Sequence, residues 1–351
     1  MIWLTWRQFR APAAMMVGVL GALAGVLALT GPGLAGDYAS GLAACTRDDT
    51  CLRFFDRFFD DYQIPFLAVT AFVLVLPALI GLFWGAPLIT RELESGTYLL
   101  VWNQSITRSR WLTVKIAIPA LAAAAAAGLC SLVVTWWSGP LDRSAAGGYG
   151  LMDPLVFGAR GIAPMGYAVF GFVLGVTVGM LVRHTLPAMA LTLVLFALVQ
   201  LGMPMLVRAH LIPPVSATFE LSRANMDQFG VRRDGSPTVI LDTAIPGDTG
   251  AWVLSSRLLD PSGRTVAESG AEAPMPVSTT SGPCAPSSRP APEGGLDPCV
   301  DEVNRLGYRQ AATYQPFARF WTFQWLEIGI YTLFSLGLTG FCFWWLSRRR
   351  S

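Results

Sequence analysis

The sequence predicts an all-α polytopic membrane protein of six transmembrane helices. Both termini are expected in the cytoplasm, with a small α+β extracellular domain between helices 5 and 6. Three observations carry this. Of 351 residues, 53% are hydrophobic and 14% charged, and the mean hydropathy of +0.49 is high for a soluble chain. Apolar runs recur at about the ~20 residues needed to cross hydrocarbon. Basic residues gather at alternate ends of these runs, which marks the cytoplasmic side.

Composition also excludes some functions. A net charge of +2, with 25 basic residues scattered along the chain, gives no basic face for nucleic acid. Two distant histidines, His184 and His210, offer little to a metal site or a Ser/His/Asp triad. A non-catalytic chain that binds neither metal nor cofactor is expected. Lys115 is the sole lysine, an arginine and alanine bias typical of a GC-rich genome.

The first residues, 1–10, would place Trp3, Trp6 and Phe9 near one side of a helix and Arg7 and Arg10 near the other. This fits a short interfacial helix or a plain basic flank of the first span. Residues 11–30 carry no charge after Arg10 and exceed the length of a signal-peptide apolar core, so a retained span is expected. Six aspartates and three arginines between positions 30 and 63 mark an outer loop. Phe54, Phe55, Phe58 and Phe59 would form one face of a short helix ending before Pro65, resting on the outer leaflet or capping the bundle.

The second span is placed at 64–90 and the third at 112–137, with a polar segment, 91–111, between them. The fourth, 162–182, contains Gly171, Gly175 and Gly179 at four-residue spacing. Such a ridge lets a neighbouring helix, in this chain or another, approach closely. A two-residue turn leads to the fifth span, 186–207. Residues 208–320 hold twelve acidic and ten basic residues and form the outer domain. Within it, TVILDTAI and AWVLSSRLL read as strands, DPSG as a turn and CVDEVNRLGYRQAA as a helix. The sixth span and basic C-terminus occupy 321–351, bracketed by Trp325 and Trp344 about 28 Å apart along a helix.

Counting basic residues in the short loops gives ten on the side of the termini, the 91–111 segment and the 4–5 turn, and five on the other. Six spans with both termini inside follow. Cysteines agree. Cys45, Cys51, Cys284 and Cys299 fall outside, while Cys130 and Cys342 fall within spans. Of three possible pairings of the outer four, the two local disulfides Cys45–Cys51 and Cys284–Cys299 are preferred over a zinc site, because neither spacing is a metal knuckle.

The ionisable residue nearest lipid is Glu327, with Gln324 close by; Arg319 or Arg160 is its expected partner, and gating of a substrate path is the other reading. No G-x-x-x-x-G-K-[ST] phosphate loop is present, since Val114 precedes Lys115. An ATP-driven process would need its motor on another polypeptide.

Two segments carry a family resemblance. RELESGTYLLVWNQSITRSRWLTVK, starting at Arg91, is similar to the R-E-x-E-x-G-T-x-x-L pattern of permease subunits of type-2 ABC exporters. GYRQAATYQPFARFWTFQWLEIGIY, with the final WWLSRRR, resembles a narrower actinobacterial group with a large outer loop before the last helix. The resemblance implies an N-terminal elbow helix and a plasma-membrane permease homodimer. It implies two copies of a separate ABC ATP-binding subunit that hold the ATP and Mg. The segment after the second span would then be the coupling helix. Arg91, Glu92, Glu94, Gly96, Thr97, Leu99, Leu100, Trp102 and Arg108 are its expected residues. Glu92 and Glu94 would support the N-terminal end of a short helix, and Lys115 would anchor the start of the third span at the membrane. The expected function is therefore export of an amphipathic or hydrophobic substrate. A membrane-anchored sensor or assembly protein with a ligand-binding outer domain is the alternative.

Overall fold

The structure is a computed structural model and describes residues 2–45, 48–94, 107–144, 149–231, 237–278, 280–285 and 298–348. Among these residues, six helices are long and apolar enough to cross a membrane. The first span is α1 (Ile2–Ala44) and the second α2 (Asp48–Ile80), a π-helical turn Gly81–Gly85 and α3 (Ala86–Glu94). The third is α4 (Arg108–Ser144). A short α5 (Pro154–Phe157) precedes the fourth span, α6 (Ala163–Val182). The fifth span is α7 (Thr185–Gly202), which runs through a π-helical turn Met203–Arg208 into α8 (Ala209–Leu211).

Residues 2–10 are helical and run into α1 without a break. One expectation about the N-terminal half changes. The aromatic helix does not stop before Pro65, which lies inside α2. Its faces explain why. Tyr38 of α1 lies 5.5 Å from Phe58 between ring centroids, and Phe59 lies 5.2 Å from Tyr149 and 5.3 Å from Phe66. Ring packing of this kind holds a helix through a proline that propensity alone would use as a stop. The Cys45–Cys51 disulfide clips α1 to α2 where the two helices meet, and Tyr62 Oη donates to Asp37 at 2.8 Å across the same pair.

The fourth span is the axis of the bundle, with 78% of its apolar stretch buried within the protein against 6% in the first span and 17% in the fifth. Its glycine ridge faces the second span of the same chain, which answers where the ridge finds its partner. A Cβ on Gly171 would stand 2.6 Å from the Pro77 carbonyl oxygen, and one on Gly179 would stand 2.8 Å from that of Ala86. Between them a Cβ on Gly175 would collide with the carbonyl oxygen of Gly81, and one on Gly81 with the backbone of Gly171. The two helices are in backbone contact because neither carries a side chain there. The π-helical turn of the second span falls at this crossing.

Between the fifth and sixth spans the described residues build seven strands and a helix: β1 (Val215–Phe219), β2 (Met226–Val231), β3 (Pro237–Leu241), β4 (Trp252–Leu259), β5 (Thr265–Glu268), β6 (Glu272–Pro274), α9 (Pro298–Arg305) and β7 (Arg309–Gln315). They form antiparallel sheets of order β1-β7-β4-β5 and β2-β3-β6. Leu221, Val239, Leu241, Leu258, Val300 and Val303 are buried together between them. The expected helix over CVDEVNRLGYRQAA ends at Arg305. Gly307, at φ +92°, breaks it, and RQAA enters β7 instead. A second disulfide, Cys284–Cys299, fastens α9. Strand β7 leads into the sixth span, α10 (Phe320–Arg348), while β1 leaves the fifth, so the pairing Val215↔Tyr314 ties together the ends of the two spans that adjoin the sheet domain.

Peptide mapping without reduction is expected to recover Cys45 joined to Cys51, Cys284 joined to Cys299, and Cys130 and Cys342 as thiols. Gly175→Ala, which overpacks a backbone contact, is expected to cost about 1–3 kcal/mol in a reversible unfolding assay. Gly18→Ala, whose Cβ meets nothing within 4 Å, should leave stability unchanged or slightly improved.

Candidate functional site

The segment between the second and third spans begins as helix, because Arg91, Glu92, Leu93 and Glu94 are good helix formers and extend the second span to Glu94. Glu92 and Glu94 therefore sit in the last turn of the helix Ala86–Glu94. The Glu92 carboxylate turns into the bundle, while that of Glu94 stays exposed. Glu92 accepts a hydrogen bond from Lys115 Nζ, and Lys115 is only 2% exposed. Its ammonium also lies 4.8 Å from the Trp111 ring centroid. The lysine expected to anchor the third span to the membrane surface instead pins that span to the second.

Glu94 reaches the fifth span. The fourth helix ends at Arg183 with φ 62°, and the fifth restarts at Thr185 after an extended His184 that supplies no side-chain cap. Thr185 N–H donates to Glu94 Oε1 at 2.8 Å, and Thr185 Oγ1 donates to Glu94 Oε2 at 2.8 Å. Thr90 Oγ1 lies 2.8 Å from the same hydroxyl. A carboxylate accepting an amide at a helix N-terminus is doubly favoured, by the hydrogen bond and by the helix dipole. The Thr185 amide, and then its hydroxyl, hold the Glu94 carboxyl below the usual glutamate range. With a lowered value the ionised clasp persists at neutral pH and is lost only as pH falls through that value. Gly96, Thr97, Leu99, Leu100 and Trp102 lie outside the described residues, Arg91 is exposed, and Arg108 is the first residue of α4.

At the opposite end of the bundle the buried glutamate has a different partner from the two expected. Arg208 Nε and Nη2 each donate to Glu327 at 2.8 Å, a bidentate pair with both side chains nearly inaccessible. Tyr167 Oη donates to the same carboxylate at 2.5 Å, and the Arg208 guanidinium stacks 4.1 Å from the Phe157 ring centroid. Arg160 pairs instead with Asp142 of α4 at 3.3 Å. Arg319 donates to the Pro213 carbonyl at 2.7 Å and to Gln315 Oε1 at 2.8 Å, joining the roots of the two last spans. Gln324 does not support Glu327. Its Oε1 accepts the Ile162 and Ala163 amides at 3.0 and 2.8 Å, capping the fourth span.

Arg208 follows an apolar run and reads from sequence as the first residue of the polar domain. The π-helical turn Met203–Arg208 ends on it and it is buried. The sequence signal for its partner is an arginine directly abutting an apolar span, which is reason to look for a buried acid. No group of three or more His, Cys, Asp or Glu side chains among the described residues is arranged to hold a metal.

Residues 17–208, the first five spans up to the buried arginine, match the family model described as ABC-2 membrane transporter related. The chain belongs to that family. Comparison with curated proteins and with solved structures gives no match. As a member of the ABC-2 family it is a multi-pass transmembrane permease of an ABC transporter, a membrane transport component of a kind that generally pairs with an ATP-binding subunit. The ABC-2 match ends where the sheet domain begins, so the polar junction formed by Glu92, Glu94, Lys115 and Thr185 lies within it and Glu327 lies beyond it.

Removing one partner of the Arg208–Glu327 pair strands a buried charge. Arg208→Leu and Glu327→Leu are each expected to lower stability by about 3–5 kcal/mol. The double variant should lose less than either single change, and additive losses in an unfolding assay would contradict the pairing.

Proposed function

We propose that this chain is the membrane half of an ATP-driven exporter in a bacterial plasma membrane, moving an amphipathic or hydrophobic substrate outward. The resemblance to actinobacterial permeases and the arginine-rich composition support that origin. Two permease copies and two ATP-binding subunits make up the assembly, and ATP and Mg are held by the partner. The face bearing the termini and the 91–111 segment is cytoplasmic, and the sheet domain is outside.

The observation that carries this reading is that the 91–111 segment is wired into the bundle. Glu92 binds the third span and Glu94 the fifth, so a push on the segment reaches helices on either side of the buried fourth span. Arg91, Gly96, Thr97, Leu99, Leu100, Trp102 and Arg108 supply the contact with the ATPase, with leucine and tryptophan as apolar anchors in its cleft. Glu92 and Glu94 hold the segment in place from inside.

One feature favours the alternative of a sensor or assembly protein with a ligand-binding outer domain. A cavity of about 420 Å³ lies between the sheet domain and the ends of α2 and α4, lined by Asp56, Arg143, Asp153, Arg223, Asp242 and Asp248 among others. Co-expression with a Walker A protein encoded in an adjacent reading frame separates the two readings. A complex should co-purify, with ATPase activity several-fold above that of the soluble subunit alone. Leu99→Asp should abolish both. If this variant and Gly96→Pro kept complex formation and transport intact, the coupling assignment would be wrong.

A further inference from the structure

The fifth span is held in an unusual way. Its buried side chains are confined to Ala188, Thr192 and Phe196 within α7, and 17% of its apolar stretch is inside the protein. A helix gripped so lightly along its length is positioned by its ends. The inner end is fastened by the 2–3 segment, through Glu94 on the Thr185 amide and hydroxyl and Thr90 on the same hydroxyl. The outer end is fastened by Arg208 on Glu327, and Tyr331 Oη donates to Gln200 at 3.2 Å just before it. Beyond Arg208 the chain continues through Ile212 and Pro213, whose carbonyls accept Gln315 Nε2 at 2.6 Å and Arg319 Nη1 at 2.7 Å, into β1. Strand β1 is paired along its whole length with β7.

We infer that Glu94 is a positioning residue that transmits movement rather than a docking contact: through it the 2–3 segment drives the fifth span as a rod, and the rod shifts the β1–β7 pair of the outer domain. This rests on the reading that the 2–3 segment receives an ATPase. An α-helix is a rigid element along its axis, and a side facing lipid offers little resistance to sliding. Displacement at Thr185 then reappears at Arg208 and β1. The third span, tied by the buried Glu92–Lys115 pair, is packed into the main core and serves as the fixed side.

Hydrogen exchange by mass spectrometry on the full chain in nanodiscs tests the inner clasp first. The first-turn amides of α7, residues 185–188, should be protected. Glu94→Ala should speed their exchange roughly tenfold, whereas Glu94→Gln, which keeps an acceptor oxygen, should restore most of the protection. The co-purified complex trapped with ATP and orthovanadate tests transmission. Nucleotide should change protection in the 91–111 segment and in β1 and β7. In Glu94→Ala the change in 91–111 should remain while that in β1 and β7 disappears, with the ATP-binding subunit still bound.

A β1–β7 response that persists in Glu94→Ala would overturn the inference. So would loss of the subunit from that variant, because Glu94 would then be a docking contact. If the wild-type chain formed no complex, the coupling function itself would fall and the transmission role with it. The exchange of residues 185–188 in the chain alone would still report separately on the clasp.

Discussion

The bundle depends on the backbone contact between its second and fourth spans. Gly171, Gly175 and Gly179 on one helix and Gly81, Gly85 and Ala86 on the other remove the side chains that would hold these helices apart. Lipid tails are as apolar as leucine, so apolar side chains gain little by leaving lipid for a helix interface, and close packing must supply the attraction. The consequence is a fourth span sunk in the protein, with the third and sixth packed around it and the first and fifth at the periphery. A helix placed this way is poorly suited to move.

Charge holds several span ends. Among the described residues three nearly buried ion pairs each join two spans or a span and a neighbouring loop: Glu92 with Lys115, Asp142 with Arg160, and Arg208 with Glu327. A charge in hydrocarbon is costly alone and tolerable when paired and hydrogen-bonded, so each pair fixes which helices are neighbours. Gln324 plays the same part with neutral groups. It binds the two first amides of the fourth span and the Phe157 and Arg160 carbonyls through one side chain. Polar satisfaction decides the arrangement of the bundle at its two faces, while glycine packing decides it in the middle.

Much of this architecture was legible in the sequence because hydropathy, glycine spacing and cysteine placement act locally. The six spans, both disulfides, the strand over AWVLSSRLL, the first half of TVILDTAI and the DPSG turn follow from short-range rules. What was not legible depends on rotation and partner choice. Whether Glu92 faces a partner protein or Lys115 depends on how far the second span continues as helix, and no local signal marked its end at Glu94. Arg208 was hidden by the π-helical turn, which changes the face presented by the last turn of a span. The helix read over CVDEVNRLGYRQAA was half correct. Gly307 adopts a positive φ that sequence permits but does not require, and pairing with β1 and β4 then takes RQAA into a strand.

The account turns on one claim: the face carrying residues 91–111 looks into the cell and receives the ATP-binding subunit, while the sheet domain looks out. The most direct test is side-specific labelling of single cysteines with a membrane-impermeant maleimide, using Arg110→Cys and Thr265→Cys, both at exposed positions. The account predicts that Arg110→Cys reacts only in inverted vesicles and is shielded when the ATP-binding subunit is bound, and that Thr265→Cys reacts only in intact cells. Labelling of Arg110→Cys from outside the cell would contradict it.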